Sequence, residues 1–332
     1  QAVNNALNKI AEYNVPTFKI GNEFKAVSLN QNVKNFSAMW QYGNFLKAKS
    51  TYKRNSKTIP GNIVGMTMCG AILSLALHGN AFTPSIVLID EASQIPLSLG
   101  AAIAALEGGT YVFIGDGRQM PPVFHEKMAN HPLSISIFDH LQRILPKELK
   151  TTLTTTYRMN SVICRYVSEQ FYEPYGVKLT SHPSVANNHV DSEDINKSIE
   201  FVNVTTTKCE DFNREEAKEA VKQALKYRKR GFEVAIITPY RKQVNLVREE
   251  WGNAGGTSSD ILIDTVERLQ GQDVDVIILT MSVSDIDYYK VQHSFLLNRN
   301  RLNVMISRAK IKVIIIKNQL ISITVPTIGD IP

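Results

Sequence analysis

Short apolar runs recur along the chain, and each ends in a polar or glycine-containing turn: Ile86–Ile89, Tyr111–Ile114, Val234–Ile237, Val276–Leu279 and Val313–Ile316. An unbroken apolar run has no polar side to offer water. The pattern therefore predicts strands covered on both faces, as in a parallel sheet layered by helices. Helical spacing over Arg214–Arg230 and Arg241–Trp251 supplies such layers. The alternation gives an α/β fold with mainly parallel sheets. The first group of strands stops near residue 115 and the second begins near residue 200, which puts a boundary around Pro146–Thr156 and two domains at 1–150 and 151–332. Two stretches stand apart. Residues 21–60 mix polar, aromatic and basic positions with little strand signal and read as a small insertion in the first domain. Residues 174–198, rich in Asn, Ser, His and Pro, read as an excursion from the second.

Composition narrows the class without naming a function. A chain of 332 residues, 43% hydrophobic, is long enough to bury two separate cores. The apolar runs are strand-length and far short of a membrane span, and no apolar leader with a small-residue cleavage site follows Gln1. A membrane or secreted protein is not expected; the cytoplasm is, with the nucleus as the second compartment. Cys69, Cys164 and Cys209 are far apart, with no C-x-x-C pair and no histidine at zinc-ligand spacing, so they are expected as reduced thiols. The net charge of +6 suits a phosphate-bearing partner and equally an ordinary solvated surface.

Chemistry enters at Ser85–Ser93, where an apolar strand delivers Asp90 and Glu91 at its carboxyl end, the end at which α/β sheets bind ligands. Asp90 can hold Mg²⁺, usually through water, and Glu91 can orient or deprotonate a water attacking a γ-phosphate. The same acids also suit a helix start, where they complement the dipole. The next strand runs into Gly115-Asp116-Gly117-Arg118-Gln119, closed by Pro121-Pro122. Glycines there free the backbone, and Gln119 offers a neutral amide to a phosphate or a water. A plain turn is the competing reading of that loop.

In order and wording these segments resemble the superfamily 1 helicases, especially the branch that includes the RNA helicase of nonsense-mediated decay. Six further segments fit in family order: Ala2–Leu7, Ile63–Thr67, Thr156–Asn160, Ile237–Val244, Asp264–Asp273 and Arg301–Ala309. The resemblance implies two RecA-like domains of the P-loop NTPase type, ATP and Mg²⁺ as cofactors, and single-stranded DNA or RNA as partner, with a monomer as the default. It makes Arg158 and Arg308 arginine fingers, whose rigid forks stabilise charge on the γ-phosphate. Gln119 becomes its sensor, with Gly115 and Asp116 beside the nucleotide. Gly271 approaches the phosphates and Asp273 accepts a ribose hydroxyl, where the family more often has Glu. Thr67 and Thr265, with Asn4, Thr238 and Arg241, become the residues that touch strand phosphates. Local roles at strand ends and helix caps compete for the threonines. Tyr157 suits either a stacked base or the core and receives no role. Between Asn160 and Thr238 there is no room for the large domain that the 3′-to-5′ branch inserts, which favours the 5′-to-3′ branch.

A phosphate-binding loop would read G-x-x-x-x-G-K-[ST], with backbone amides cradling phosphate, a lysine neutralising it and a hydroxyl on Mg²⁺. Gly65–Gly70 has the glycine spacing but continues into Ala71-Ile72, and Gly108-Gly109-Thr110 lacks the lysine. In the family this loop lies upstream of the segment at Gln1. The expectation is a piece of a longer helicase that hydrolyses little ATP by itself. A non-hydrolysing scaffold that binds nucleic acid or a partner is the alternative function. An unrelated P-loop kinase would have no use for the Tyr157-Arg158 and Ser307-Arg308-Ala309 motifs.

Overall fold

In the computed structural model, which describes residues 2–13, 15, 17–20, 29–36, 63–72, 84–104, 109–128, 131–269 and 271–319, the chain divides into two compact units. One contains residues 1–115 and 124–140; the other contains 116–123 and 141–332.

The first unit opens with helix α1 (Ala2–Ala11), which packs Leu7 and Ala11 against a parallel sheet of β1 (Thr17–Ile20), β2 (Val33–Phe36) and β3 (Ile63–Met66) in the order β2–β1–β3. Strand β2 falls inside the stretch read as an insertion. Its Val-Lys-Asn-Phe sequence gives no apolar run, yet it pairs in register with β1 from Thr17↔Val33 to Ile20↔Phe36. Residues 21–28 and 37–60 of that stretch lie outside the described residues. Strands β4 (Ile86–Ile89) and β5 (Thr110–Phe113) form a parallel pair. Here the expectation of burial on both faces fails: Ile86 and Leu88 are 60% and 68% exposed, while Ile89 is buried. Successive side chains of a strand point to opposite faces, so the run fixes the strand and leaves open which faces are covered.

The second unit is built on a five-stranded, wholly parallel sheet in the order β10–β9–β11–β12–β8. Its strands are β8 (Ile199–Val204), β9 (Val234–Ile237), β10 (Leu262–Asp264), β11 (Val274–Thr280) and β12 (Ala309–Asn318). A short parallel pair, β6 (Thr155–Thr156) and β7 (Thr180–Ser181), stands apart from it. The central strands behave as their runs require. Val234, Ile236, Val276, Ile278, Ile314 and Ile316 face one core with helices α3 (Arg214–Arg228) and α4 (Arg241–Asn253). Ala235, Ile237, Ile277, Leu279, Val313 and Ile315 face the other. That second layer comprises α2 (Ser161–Val167), α5 (Ile286–Leu296) and α6 (Arg299–Ser307). Each fully buried Ile or Val contributes roughly 1.5–3 kcal/mol, so the two faces of this sheet supply the main cores of the unit.

No helix among the described residues is long and apolar enough to cross a membrane. Cys164 is buried and Cys69 exposed, and all three cysteines are free thiols.

One buried acid stands out. Asn213 caps α3 through the amides of Glu215 and Glu216, and the Glu216 carboxylate turns back into the unit. It accepts the Ser282 N–H at 2.8 Å, just past β11, where Ser282 takes a φ of 70°. Gln243 on α4 brackets Asn213 from both sides, accepting from its N–H at 2.8 Å and donating to its carbonyl at 3.1 Å. Burial pushes the Glu216 carboxyl up to about 8, against the pull of the Ser282 and Met281 amides, which favour the ionised form. An unfolded Glu titrates near ~4.3. Raising the pH from there to 8 therefore ionises the unfolded chain first, and stability present at low pH is lost progressively until about 8. Glu216→Gln keeps the shape and an acceptor for Ser282. Its melting temperature, measured against the parent, is expected to gain between pH 5 and pH 9. An equal difference at both pH values would show that the carboxylate is ionised throughout.

Candidate functional site

At the carboxyl end of β4 the chain turns sharply. Glu91 takes left-handed backbone angles (φ 52°, ψ 37°), which cost a residue with a Cβ about 1–2 kcal/mol. The turn is held from several sides: Asp90 Oδ1 accepts the Glu91 N–H at 2.9 Å, Gln94 Nε2 donates to Glu91 Oε2 at 2.8 Å, and the Ala92 N–H donates to the Ile114 carbonyl at 2.8 Å. Asp90 is exposed and Glu91 half-buried. Gly115 closes against this turn so tightly that a Cβ would lie 2.8 Å from the Ser93 nitrogen. Asp90, Glu91 and Gly115 thus share one edge of the first unit.

Asp116–Val123 belong to the second unit, and there Gln119, Arg158, Asp273 and Arg308 come together with Asp116. Arg308, only 5% exposed, donates from Nη2 to Gln119 Oε1 at 3.0 Å. Gln119 Nε2 donates to Asp116 Oδ2 at 3.1 Å, which fixes the orientation of the amide. Arg158 Nη1 donates to the carbonyl of Ser307, the residue before Arg308, at 3.3 Å. Its Nε lies 3.9 Å from Asp273 Oδ2, and both side chains are partly exposed, so this pair contributes little stability. Asp273, expected to receive a ribose, faces Arg158 here. Backbone bonds tie the group to the amino ends of two strands: Val274 N–H donates to the Arg308 carbonyl, and Asn160 N–H to the Lys310 carbonyl. Asn160 is fully buried and caps α2 through the Ile163 N–H. Gly271, at the approach to β11, has φ 74° and open space where a Cβ would stand.

The strand-contact candidates of this unit lie at the opposite, carboxyl edge, after β9 and β10. Arg241 is exposed and pairs with Asp264 at 2.6 Å; Arg248 meets the same carboxylate at 3.2 Å. Thr238 is fully buried, its Oγ1 3.4 Å from Ser282 Oγ. Thr265 is 5% exposed. Against desolvation, its hydroxyl and Arg301 hold the Glu267 carboxyl below the usual range. In the first unit Asn4 is buried on α1, and Thr67, after β3, is exposed and accepts the Gly70 N–H at 3.2 Å. Exposure therefore separates Thr67 and Arg241 from Asn4, Thr238 and Thr265.

Comparison with known proteins decides the family. Residues 133–320, more than half of the chain, match the family described as AAA domain. The chain belongs to that family, among the superfamily 1 helicases. It is 30% identical over 256 residues to an uncharacterised ATP-dependent helicase of Methanocaldococcus jannaschii, covering 70% of this chain and 36% of that protein. Identity to the DNA polymerase alpha-associated DNA helicase A of Saccharomyces cerevisiae is 27% over 348 residues, 89% of this chain and 49% of that one. Identity to Helicase sen1 of Schizosaccharomyces pombe is 29% over 281 residues, 77% and 16%. The chain spans half or less of each of these relatives. Among solved structures, the arterivirus nonstructural protein 10 helicase with DNA aligns over 96% of the chain at 12% identity and a TM-score of 0.38, too distant for its geometry to be carried over.

Three residues take part in the second-unit cluster although the sequence assigns them no role: Tyr172, Asn300 and Asn303. Asn300 immediately precedes the Arg301–Ala309 segment and Asn303 lies inside it, but nothing in the residues around Tyr172 points to Asp116, its partner 56 residues away. The tight closure of Gly115 is directly testable. Gly115→Ala should force the turn at Ala92-Ser93 to shift, with a loss of about 1–3 kcal/mol read from the denaturant midpoint. An unchanged midpoint would show that the turn yields freely.

Proposed function

We propose that this chain is the body of an ATP-driven motor that steps along single-stranded DNA or RNA, in the 5′-to-3′ direction, with residues 1–150 and 151–332 as its two working domains. The observation that carries the reading is the buried Arg308, held against the neutral Gln119 amide beside Arg158. A guanidinium makes a stronger, charge-assisted bond to an anionic oxygen than to a neutral amide. A γ-phosphate oxygen is the stronger acceptor, so arrival of nucleotide would draw Arg308 from Gln119 and Arg158 from the Ser307 carbonyl.

In this reading Glu91 orients the attacking water, and its strained backbone keeps the carboxylate where that water would stand. Among the described residues no three His, Cys, Asp or Glu side chains cluster as a closed metal cage. Exposed Asp90 instead suits Mg²⁺ held through water and nucleotide oxygens. When bound, that ion neutralises charge on the phosphates. Arg158 and Arg308 stabilise the charge that develops in the transition state, and Gln119 changes partner with the presence of the γ-phosphate. Arg241 at the other edge of the sheet and Thr67 in the first unit, both exposed, grip strand phosphates without reading sequence. A scaffold without turnover would leave the strain at Glu91 and the burial of Arg308 without a purpose.

Two variants of the full-length protein test the assignment. Glu91→Gln and Arg308→Ala are each expected to lower strand-stimulated ATP turnover about 10²–10³-fold. Affinity for a single-stranded oligonucleotide at fixed salt should stay within about threefold, since phosphate contacts made elsewhere dominate it. Full turnover in either variant would remove that residue from the mechanism.

A further inference from the structure

The segment Asp116–Gln119 follows directly from β5 of the first unit, yet its polar groups are held by the second. Tyr172, which follows α2, donates its hydroxyl to Asp116 Oδ2. The fully buried Asn303 donates from Nδ2 both to the Tyr172 oxygen at 3.0 Å and to the Arg118 carbonyl at 2.8 Å. Asn300 Nδ2 donates to the Gln119 carbonyl at 2.5 Å. The Arg118 guanidinium lies 3.2 Å above the centre of the Tyr175 ring, and Met120 packs into the core that contains Leu302 and Met305.

Asn300 and Asn303 sit on α6, the helix that ends at Arg308, so one rigid element carries two of the groups that hold the loop and the finger that meets it. A continuous chain of bonds results. Asn303 donates to Tyr172, Tyr172 to Asp116, Gln119 to the same Asp116 oxygen, and Arg308 to Gln119. Since Asp116 is an acceptor only, Gln119 must present its NH₂ to it, and its carbonyl oxygen is left for Arg308. The Tyr172 hydroxyl keeps its proton, because burial and the adjacent Asp116 carboxylate both push its ionisation upward. The link therefore persists across the physiological range.

We infer that Tyr172, with Asn300 and Asn303, is a latch that positions Gln119 for phosphate sensing and makes the sensor loop travel with α6 and Arg308. These are positioning residues; none of them touches a reacting atom. The inference rests on the motor reading for its functional half and on geometry alone for its structural half, and the test separates the two.

Tyr172→Phe removes one oxygen and keeps the ring in place. Two measurements on the full-length protein decide. In amide hydrogen exchange, residues 117–120 are expected to exchange at least about tenfold faster in the variant, the equivalent of one lost hydrogen bond to a charged group. In steady-state kinetics, the ratio of strand-stimulated to basal turnover is expected to fall by about the same factor with KM for ATP unchanged, because the sensor no longer moves with the finger. Asn300→Ser, which lacks the reach to the Gln119 carbonyl, should reproduce both effects. Unchanged exchange in both variants overturns the latch whatever the kinetics show. Faster exchange with an unchanged ratio overturns its coupling role. A parent protein with no strand stimulation at all overturns the motor reading, while the exchange data still decide the latch. A drop in melting temperature with basal and stimulated rates falling together marks a merely structural contact and also overturns the coupling role.

Discussion

The polarity of the second-unit sheet governs where chemistry can stand. Five strands run the same way, and the central three are walled by helices on both faces, so only the two ends of the ladder open toward solvent. The groups with candidate chemistry stand at those ends. Arg158, Asp273 and Arg308 gather where β11 and β12 begin; Thr238, Arg241 and Thr265 gather where β9 and β10 finish. A parallel ladder cannot bring its two ends together, so the groups expected to meet phosphate and the groups expected to meet a nucleic-acid strand are separated by the sheet itself. The segment Asp264–Asp273 joins the two edges through a single helical turn, Val266–Leu269.

How much of this is legible in the residues depends on where each strand lies. The central strands β9, β11 and β12 announce themselves because burial on both faces demands an unbroken apolar run. The edge strands do not. β10 is three residues long and ends in Asp264, and β8 carries Glu200 and Asn203 between its apolar positions with Phe201 44% exposed. The runs at β4 and β5 mark real strands while misjudging their surroundings, because a side chain's hydrophobicity does not say whether a layer covers it. Strand β2 has no run at all and is held by backbone pairing to β1.

The site is legible in a different sense. Resemblance to a family names Gln119, Arg158 and Arg308 but not their partners, since the bonds among them span 149 to 189 positions of the chain. Tyr172 and Asn303 are invisible for the same reason: a tyrosine near a helix end and an asparagine inside a helix have no local pattern that marks them as linked 131 residues apart. Thr238 shows the converse. A hydroxyl at the end of a strand looks well placed to grip a phosphate, and only the close approach of Ser282 reveals that it faces inward.

The ten-residue strand β12 has a mechanical consequence. It begins one residue after Arg308 and ends at Asn318, whose amide donates to Thr206 at the far edge. Roughly 30 Å of hydrogen-bonded backbone joins the two, with neighbours along most of its length. Such a strand acts as a push-rod. Val313 to Ile316 at its centre are buried between the two cores, so bending there is resisted and a displacement at the Arg308 end is passed toward the opposite rim. Loosening substitutions in the middle of the strand would weaken that transmission before they unfold the protein.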